Sequence, residues 1–343
     1  MQLSRCATLI HRLERRVAGL PAHRQAYYVL NAMVGEALRR RTIGTLGLRL
    51  VGIDLTERCQ CRCVHCYDAK AHSSRATLAT EGVQSILDQA AAMHATEISF
   101  SGGEPLLHPD LVSLVSYAHQ KGLATKVNTN GILLSEPLIR ELKDAGLNWC
   151  AVSLDSVEAA QHDTLRGYAG CYERAVQGLG MLVEHDIACS ITTYVRKRDV
   201  YTGHLQKIVA LGRALGVDSV RINFPVPMGR YADRQDLTLD LAEREEVRKL
   251  LQDELVSMEA PREGTRCTAG VTVMNVTARG DVTPCVFVPL PYGNIHHTTL
   301  RAAWQAMASF ERLYKPDGQC PMCDPAFRSR LYALREGTAP ACA

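Results

Sequence analysis

Three cysteines stand close together near residue 60, in the sequence Cys59-Gln-Cys-Arg-Cys63-Val-His-Cys66. Their spacing lets three thiolates converge from one loop. Iron–sulfur clusters are held by cysteine thiolates, normally four, so three ligands leave one iron free to bind another molecule. The pattern therefore predicts a cluster that takes part in chemistry. Two alternatives use the same residues: a zinc site closed by His65 or Cys61, and a patch of reactive cysteines.

A second set of four cysteines lies in the last quarter of the chain. The segments 271–277 and 282–288 have the residue types of a β-hairpin, which would carry Cys285 back towards Cys267. Four thiolates suffice for a closed site, either another iron–sulfur cluster or a zinc ribbon. The set comprises Cys267, Cys285, Cys320 and Cys323.

The elements that must position these cysteines alternate along the chain. From about residue 48, β-rich segments alternate with helical patterns, which is typical of a parallel sheet built from β-α units. Sites in such folds gather at the carboxyl ends of the strands, where the first cysteine loop lies. Residues 241–258 read as a further helix before the cysteine-bearing tail. The six predicted strands span residues 48–56, 96–101, 123–129, 148–154, 187–195 and 217–224.

The composition of the chain is that of a soluble globular protein. Of its 343 residues, 46% are hydrophobic and 22% charged, and no apolar run approaches the roughly 20 residues that span a bilayer. We find no signal-peptide pattern and expect a cytoplasmic protein without membrane or nucleic-acid partners. The reducing conditions of the cytoplasm favour metal or cluster ligation by the thirteen cysteines over disulfides. We expect the thiols outside both sets to be structural or incidental, namely Cys6, Cys61, Cys150, Cys171, Cys189 and Cys342.

The first 41 residues carry eight arginines against Glu14 and Glu36. Their apolar residues recur with helical spacing, which predicts a helical N-terminal extension over residues 1–46. The basic face of this arm is either solvated or binds an anionic substrate or partner.

The cysteine loop, followed by Tyr67 and by Ser101-Gly-Gly-Glu-Pro105 at the next strand end, resembles the radical S-adenosylmethionine (SAM) superfamily. The resemblance implies that SAM chelates the open iron of a 4Fe-4S cluster held by the three cysteines. It also implies one-electron cleavage of SAM to a 5′-deoxyadenosyl radical, with an external reductant such as flavodoxin or ferredoxin. Gly102, Gly103 and Glu104 would hold the methionine part of SAM, and His65 would pack over the cluster.

Further cofactor contacts are implied at polar strand ends. By resemblance, Asn128, Ser153 and Asp155 would contact the ribose or carboxylate of SAM, and the region of Tyr194 would lie against the adenine. The alternative is that Asn and Asp at strand ends only make turns. Tyr67, beside Cys66, is included among the cofactor-binding residues.

The second cysteine set resembles the SPASM domain in its shortened "twitch" form, with one auxiliary 4Fe-4S cluster on all four thiols. Full ligation favours electron transfer over substrate binding there. The implied fold is a partial (β/α)6 barrel of parallel strands with a small C-terminal auxiliary-cluster domain. We predict divisions at 1–46, 47–226 and 227–343.

The substrate is the least determined part of this interpretation. Arg221 and Asn223 alternate with apolar residues on the sixth strand and could point into the barrel, or form salt bridges at its rim. Arg166 could bind a substrate carboxylate or pair with Asp163, and Arg230 follows as another candidate.

Because the N-terminal arm is too short for a leader-binding domain, we expect a small polar metabolite such as a sugar, aminocyclitol or nucleoside. The comparable enzymes are 2-deoxy-scyllo-inosamine dehydrogenase and the cytosylglucuronate decarboxylase of nucleoside-antibiotic pathways. The step would be an oxidation, dehydration or decarboxylation, so that the enzyme is an oxidoreductase or lyase. The alternatives are a maturase of ribosomally made peptides and a non-catalytic iron–sulfur or zinc protein.

Overall fold

The computed structural model of the chain describes residues 47–68, 75–258, 267–307 and 320–335. The predicted helical arm at residues 1–46 lies outside the described residues, as do Cys6 and Cys342. No helix in the described ranges is both long enough and apolar enough to cross a membrane.

One sheet of nine strands organises the described part of the chain, in the order β7-β6-β5-β4-β3-β2-β1-β8-β9. Neighbouring strands are parallel except β8 and β9, and the sheet is open at β7 and β9. This confirms the predicted partial barrel of parallel strands. The strands are β1 (Leu50–Thr56), β2 (Glu97–Gly102), β3 (Ala124–Thr129), β4 (Trp149–Ser153), β5 (Cys189–Tyr194), β6 (Ser219–Asn223), β7 (Val256–Met258), β8 (Val273–Val276) and β9 (Val282–Thr283).

Helices connect the parallel strands, and they begin and end where capping residues in the sequence predict. The third begins at its N-cap Ser135 with proline in the first turn, and the sixth ends on Gly216, whose φ of 75° favours glycine. The helices are α1 (Thr80–Ala92), α2 (Leu111–Gln120), α3 (Glu136–Asp144), α4 (Ala159–Arg166), α5 (Cys171–Glu184), α6 (His204–Leu215), α7 (Leu241–Arg248), α8 (Leu300–Ala306) and α9 (Pro325–Arg335).

The two faces of the sheet differ in chemistry because alternate strand residues point to opposite sides. On β2, Ile98 and Phe100 are fully buried in the same apolar core as Ile86 of α1 and Leu114 of α2. The opposite side, which we call the inner face, is mostly polar. It carries Gly52, Asp54, Ser99, Ser101, Asn128, Ser153, Thr192, Tyr194, Arg221, Asn223 and Asn275.

The chain after β6 departs from the prediction in one place. The helix expected over 241–258 ends at Arg248, and residues 256–258 form β7 beside β6. Asp253 interrupts the helix, because its side chain accepts from the Leu255 backbone N–H at 2.9 Å and pairs with Arg213. The predicted hairpin around Gly280 is present as β8 and β9, and β8 pairs with β1.

Strands from after residue 227 therefore complete both edges of the sheet, with β7 at one edge and β8 and β9 at the other. The division of the chain at residues 46 and 226 stays a prediction.

Candidate active site

The first cysteine set lies on the loop after β1, and backbone hydrogen bonds tie this loop to the end of α4. Arg62 N–H donates to Arg166 O at 2.8 Å, and Val64 N–H donates to Leu165 O at 2.9 Å. The thiols of Cys59, Cys63 and Cys66 are all half-buried. We call residues 59–66 the cluster loop.

Cys61 has more contacts than an incidental loop thiol would need. It is buried, and its thiol hydrogen bonds with those of Cys59, Cys63 and Cys171. The hydrogen bond from Cys61 lowers the pKa of Cys63 to about 6, against the effect of burial. A low pKa favours the thiolate, which is the form that ligates metals. Within the described ranges, no three His, Cys, Asp or Glu side chains are gathered closely enough to hold a single metal ion.

The Gly-Gly-Glu-Pro turn at the end of β2 packs directly against the chain that enters the cluster loop. A Cβ atom on Gly102, whose φ is 122°, would lie 2.4 Å from Thr56 O, and one on Gly103 would lie 2.3 Å from Arg58 O. Gly103 and Glu104 donate backbone hydrogen bonds to the same two carbonyls, at 2.7 and 2.8 Å. Only glycines permit this approach, so the turn is a backbone cradle beside the three thiols. The two glycines therefore fix the turn against the chain that enters the cluster loop.

Glu104 is buried and holds the end of β3 against this turn. Its carboxylate accepts hydrogen bonds from Thr129 Oγ1 at 2.7 Å, Asn130 N at 2.8 Å and Leu106 N at 3.1 Å. Burial raises its pKa to about 7 despite these donors. A carboxylate has about four acceptor positions, so one is left for a ligand amine. The predicted contact of Glu104 with SAM stays a prediction.

Asp155 and Arg166 form a buried ion pair beside the cluster loop. Arg166 Nη2 lies 2.8 Å from Asp155 Oδ2, and Arg166 Nη1 lies 3.8 Å from Cys63 Sγ. Burial opposes the charge on Asp155, but the guanidinium holds its pKa below the ordinary value. The proposed pairing of Arg166 with Asp163 is wrong, since Asp163 accepts instead from the backbone of Gly170 and Tyr172. Arg166 thus connects a predicted SAM residue to a cluster thiol.

An aromatic group covers the other side of the loop. The ring of His65 stacks on Tyr194 with centroids 4.6 Å apart and planes 8° apart, and Tyr231 meets both rings edge-on. Burial lowers the pKa of His65 to about 4, so the ring is neutral at pH 7. The Asp155 carboxylate accepts from Tyr194 N at 2.9 Å. Tyr231 was not identified from the sequence, because its contact with His65 spans more than 160 residues.

The inner face below the turn carries the remaining predicted residues. Asn128 donates to Ser99 Oγ and Ser101 Oγ, both at 2.8 Å. Ser153 lies opposite Thr192 in the sheet register, and Tyr194 lies opposite Asn223. The side-chain oxygens of Thr192 and Asn223 are buried without a hydrogen-bond partner, so the Thr192 hydroxyl can donate or accept and the Asn223 amide oxygen can accept from a bound molecule. Arg221 lies beside Thr192 in the same register.

A buried acid on β1 was missed by the sequence analysis. Asp54 accepts from Asn275 Nδ2 at 2.9 Å and from the Tyr67 hydroxyl at 3.5 Å. Burial raises the pKa of Asp54 to about 6. Tyr67, predicted as a cofactor residue, also meets Phe287 edge-on with centroids 6.0 Å apart. It therefore lies between the cluster loop and the second cysteine set.

The four thiols of the second set come together in an apolar pocket. Cys267, Cys285 and Cys320 pack against a cluster that includes Met322 and Phe327. The thiol of Cys320 hydrogen bonds with Cys323 and is electrostatically coupled to Cys267 and Cys285. Burial raises the pKa of Cys285 to about 12, a cost that a bound metal centre offsets by favouring thiolates. The arrangement fits a closed, fully ligated cluster.

Two family profiles match the chain. The profile of the radical SAM superfamily covers residues 53–199, which include the cluster loop, the glycine turn and the ends of β1 to β5. The profile of the SPASM iron–sulfur cluster-binding domain covers residues 267–324, which include all four thiols of the second set.

Curated relatives align with most of the chain. An AdoMet-dependent heme synthase of Methanosarcina barkeri is 29% identical over 83% of this chain and 92% of its own length. A PqqA peptide cyclase of Gluconobacter oxydans is 27% identical over 79% of this chain and 80% of its own length.

Solved structures share the fold at low identity. Streptococcus suis SuiB bound to its precursor peptide SuiA has a TM-score of 0.65 at 18% identity, covering 82% of this chain and 70% of SuiB. The structure of anSMEcpe with bound AdoMet and a peptide has a TM-score of 0.62 at 18% identity, covering 85% and 96%.

Proposed function

Because the chain belongs to the radical SAM superfamily and carries a SPASM iron–sulfur domain, we propose that it forms a carbon-centred radical on a peptide substrate. The chain is an enzyme of this family, with a SAM-binding 4Fe-4S cluster and an auxiliary iron–sulfur cluster. When bound, SAM and the first cluster supply the 5′-deoxyadenosyl radical that abstracts hydrogen. Iron–sulfur clusters thus replace the zinc alternatives at both cysteine sets.

The residues proposed for the first site have distinct tasks. Cys59, Cys63 and Cys66 would ligate the cluster and leave one iron open. Gly102 and Gly103 let the turn pack against the chain that enters the cluster loop, which would place the turn beside the methionine part of SAM, and Glu104 retains an acceptor position for its amine. Neutral aromatic rings exclude water on the other side of the loop. Asn128, Ser153, Asp155 and Tyr194 complete the proposed SAM contacts.

The second site is proposed to serve electron transfer. Cys267, Cys285, Cys320 and Cys323 would hold the auxiliary cluster, and full ligation leaves no position on it for substrate. The Tyr67 ring, at 6.0 Å from Phe287, brings aromatic contact between the two cysteine regions. An electron released when a substrate radical is oxidised could leave by this route.

A peptide substrate is supported chiefly by the PqqA peptide cyclase relative, which aligns over about four fifths of both chains. The comparisons favour this alternative over the sugar, aminocyclitol or nucleoside that we preferred from the sequence. The inner face agrees, since Thr192 and Asn223 present unpartnered polar atoms of the kind that bind amides.

The proposal can be tested with short peptides encoded beside the gene. The protein, anaerobically reconstituted, would be incubated with each peptide, SAM and dithionite. We expect 5′-deoxyadenosine together with a peptide of changed mass, for example a loss of two hydrogens. A Cys63→Ala variant is the control, because it removes a cluster ligand and should abolish both products. Deoxyadenosine without any modified peptide would oppose a peptide substrate.

A second candidate is an oxidative decarboxylation of a tetrapyrrole. It is favoured by the heme synthase relative, which aligns over 92% of its own length. Lys126 and Arg221 could receive carboxylates on the inner face. We rank it below the peptide because, among the described strands, that face offers few large apolar side chains for a flat ring.

The same reaction mixture distinguishes the two candidates. An iron porphyrin with propionate side chains replaces the peptide, and the loss of carbon dioxide is followed by mass spectrometry. Decarboxylated porphyrin without peptide modification would reverse our ranking.

A further inference from the structure

A short segment after β6 contacts both cysteine sets. We call residues 225–231, with the sequence Pro-Val-Pro-Met-Gly-Arg-Tyr, the strap. Its first four residues are buried and its last three are half-buried. The strap lies outside the 53–199 and 267–324 family matches.

The strap is fastened to the cluster loop by Arg230. The guanidinium Nη1 donates to Arg62 O at 2.7 Å and to Cys63 O at 3.0 Å, while Arg230 N–H donates to Cys66 O at 3.0 Å. These contacts favour a positioning role for Arg230 over a role in binding substrate. Gly229 allows the approach, because a Cβ there would lie 2.1 Å from Cys66 O and its φ is 57°.

The other end of the strap meets the second set. Cys323 Sγ lies 3.6 Å from Pro225 O. Val226 and Met228 pack in the same apolar cluster as Met322, next to Cys320. Val226 N–H also donates to the Tyr194 hydroxyl at 3.0 Å, and that ring stacks on His65 of the cluster loop. The strap thus has one end in each cysteine region.

We propose that the strap couples the two clusters, with Arg230 as the positioning residue that fixes Cys63 and Cys66 for SAM binding. The inference rests on the proposed ligation of the two cysteine sets. Cys63 is held on two sides, by Arg166 near its sulfur and by Arg230 at its carbonyl. Displacing the loop would move Cys63 and Cys66, which would hold the cluster, relative to the turn of Gly102 and Gly103, and would thereby weaken chelation of SAM.

An Arg230→Met variant tests the positioning role without removing much volume. The reduced 4Fe-4S signal in electron paramagnetic resonance changes when SAM binds, and only the cluster with an open iron can respond. Titrating that change measures the Kd for SAM without turnover. We expect the Kd to rise about tenfold, because two charge-assisted hydrogen bonds are lost.

The matched control is Arg234→Met on the same stretch of chain. Arg234 is exposed and pairs with Asp236 at 2.8 Å, so its loss should leave the Kd within about twofold. Arg230→Lys should recover part of the affinity, since an ammonium can still donate to a carbonyl. Equal affinities for wild type, Arg230→Met and Arg234→Met would overturn the positioning role.

Coupling requires a second variant at the far end. Cys323→Ala should also weaken SAM binding, and combining it with Arg230→Met should cost less than the sum of the two effects. Additive effects would show that the two ends act separately and would refute the coupling. If Cys323→Ala fails to fold, Val226→Ala replaces it, because Val226 packs in the apolar cluster with Met322 at the same end of the strap. A wild type whose signal ignores SAM would instead refute the proposed function.

Discussion

At the scale of the residue, ionisable side chains next to the cluster loop determine its chemical properties. Arg166 is the clearest case, because it neutralises Asp155 and lies 3.8 Å from Cys63 Sγ. Hydrogen bonds and positive charge at cluster sulfurs favour the reduced cluster. The sequence could name Arg166 but not its partner, since Asp163 is nearer along the chain and Asp155 is nearer in space.

We predict that Arg166→Gln lowers the midpoint potential of the SAM cluster. The expected shift is about 60 mV, equivalent to a tenfold change in a one-electron equilibrium. Potentiometric titration followed by electron paramagnetic resonance measures it. Arg62→Gln, an exposed cation on the same loop, is the control and should leave the potential unchanged. If both variants behave like wild type, Arg166 has no part in tuning the cluster.

The raised pKa of Glu104 predicts that the affinity for SAM depends on pH. Its pKa is raised to about 7 by burial, so it is protonated below that pH and ionised above it. Only the ionised form accepts fully from Thr129, Asn130 and a ligand amine. SAM should therefore bind more tightly as pH rises from about 6 to 8. Glu104→Gln should flatten this dependence and raise the Kd about tenfold. A wild-type Kd for SAM that falls as the pH decreases would contradict this prediction.

At the scale of the element, the fold was largely predictable because its strands are long and patterned. The apolar alternation of β2 and the cap signals of α3 and α6 act within a few residues. The strand β7 was missed, because three residues at a sheet edge carry little pattern and depend on pairing with β6. The contacts of Arg230 with the cluster loop could not be predicted for a related reason, since they join residues more than 160 positions apart.

The glycine turn after β2 leads to a prediction at the scale of the element. Gly103→Ala would place a methyl group 2.3 Å from Arg58 O, which forces the turn away from the cluster loop. We expect at least a tenfold loss of SAM affinity, measured by the same resonance titration.

The control for this variant is Gly82→Ala in α1. A Cβ on Gly82 meets nothing within 4 Å, so this change should stabilise the helix by about 1 kcal/mol and leave SAM binding intact. Wild-type affinity in Gly103→Ala would mean that the turn does not form part of the SAM site.

At the scale of the whole molecule, one open sheet brings the two cysteine sets to neighbouring strands. β1 leads into the cluster loop and pairs on its other side with β8, and the hairpin of β8 and β9 lies between Cys267 and Cys285 along the chain. This adjacency explains how strap and aromatic contacts reach both sets. The sequence predicted both sets but not their linkage, which depends on the strand order.

Removing the second centre should separate radical formation from turnover. Cys320→Ala should reduce the iron content from about eight to about four per chain. At SAM concentrations that saturate the variant, we expect SAM cleavage to persist and conversion of substrate to fall, as measured by chromatography of both products. Equal loss of cleavage in Cys320→Ala and Cys63→Ala would indicate that the second centre is chiefly structural.

The central claim is that this enzyme abstracts hydrogen from a peptide, and transfer of deuterium tests it most directly. A substrate peptide deuterated at its side chains would be incubated with the reconstituted enzyme, SAM and dithionite. Mass spectrometry of the 5′-deoxyadenosine formed is the measurement. We predict deoxyadenosine enriched by one deuterium. Deoxyadenosine that carries no deuterium with any candidate peptide, but gains it from a deuterated porphyrin or sugar, would contradict the account.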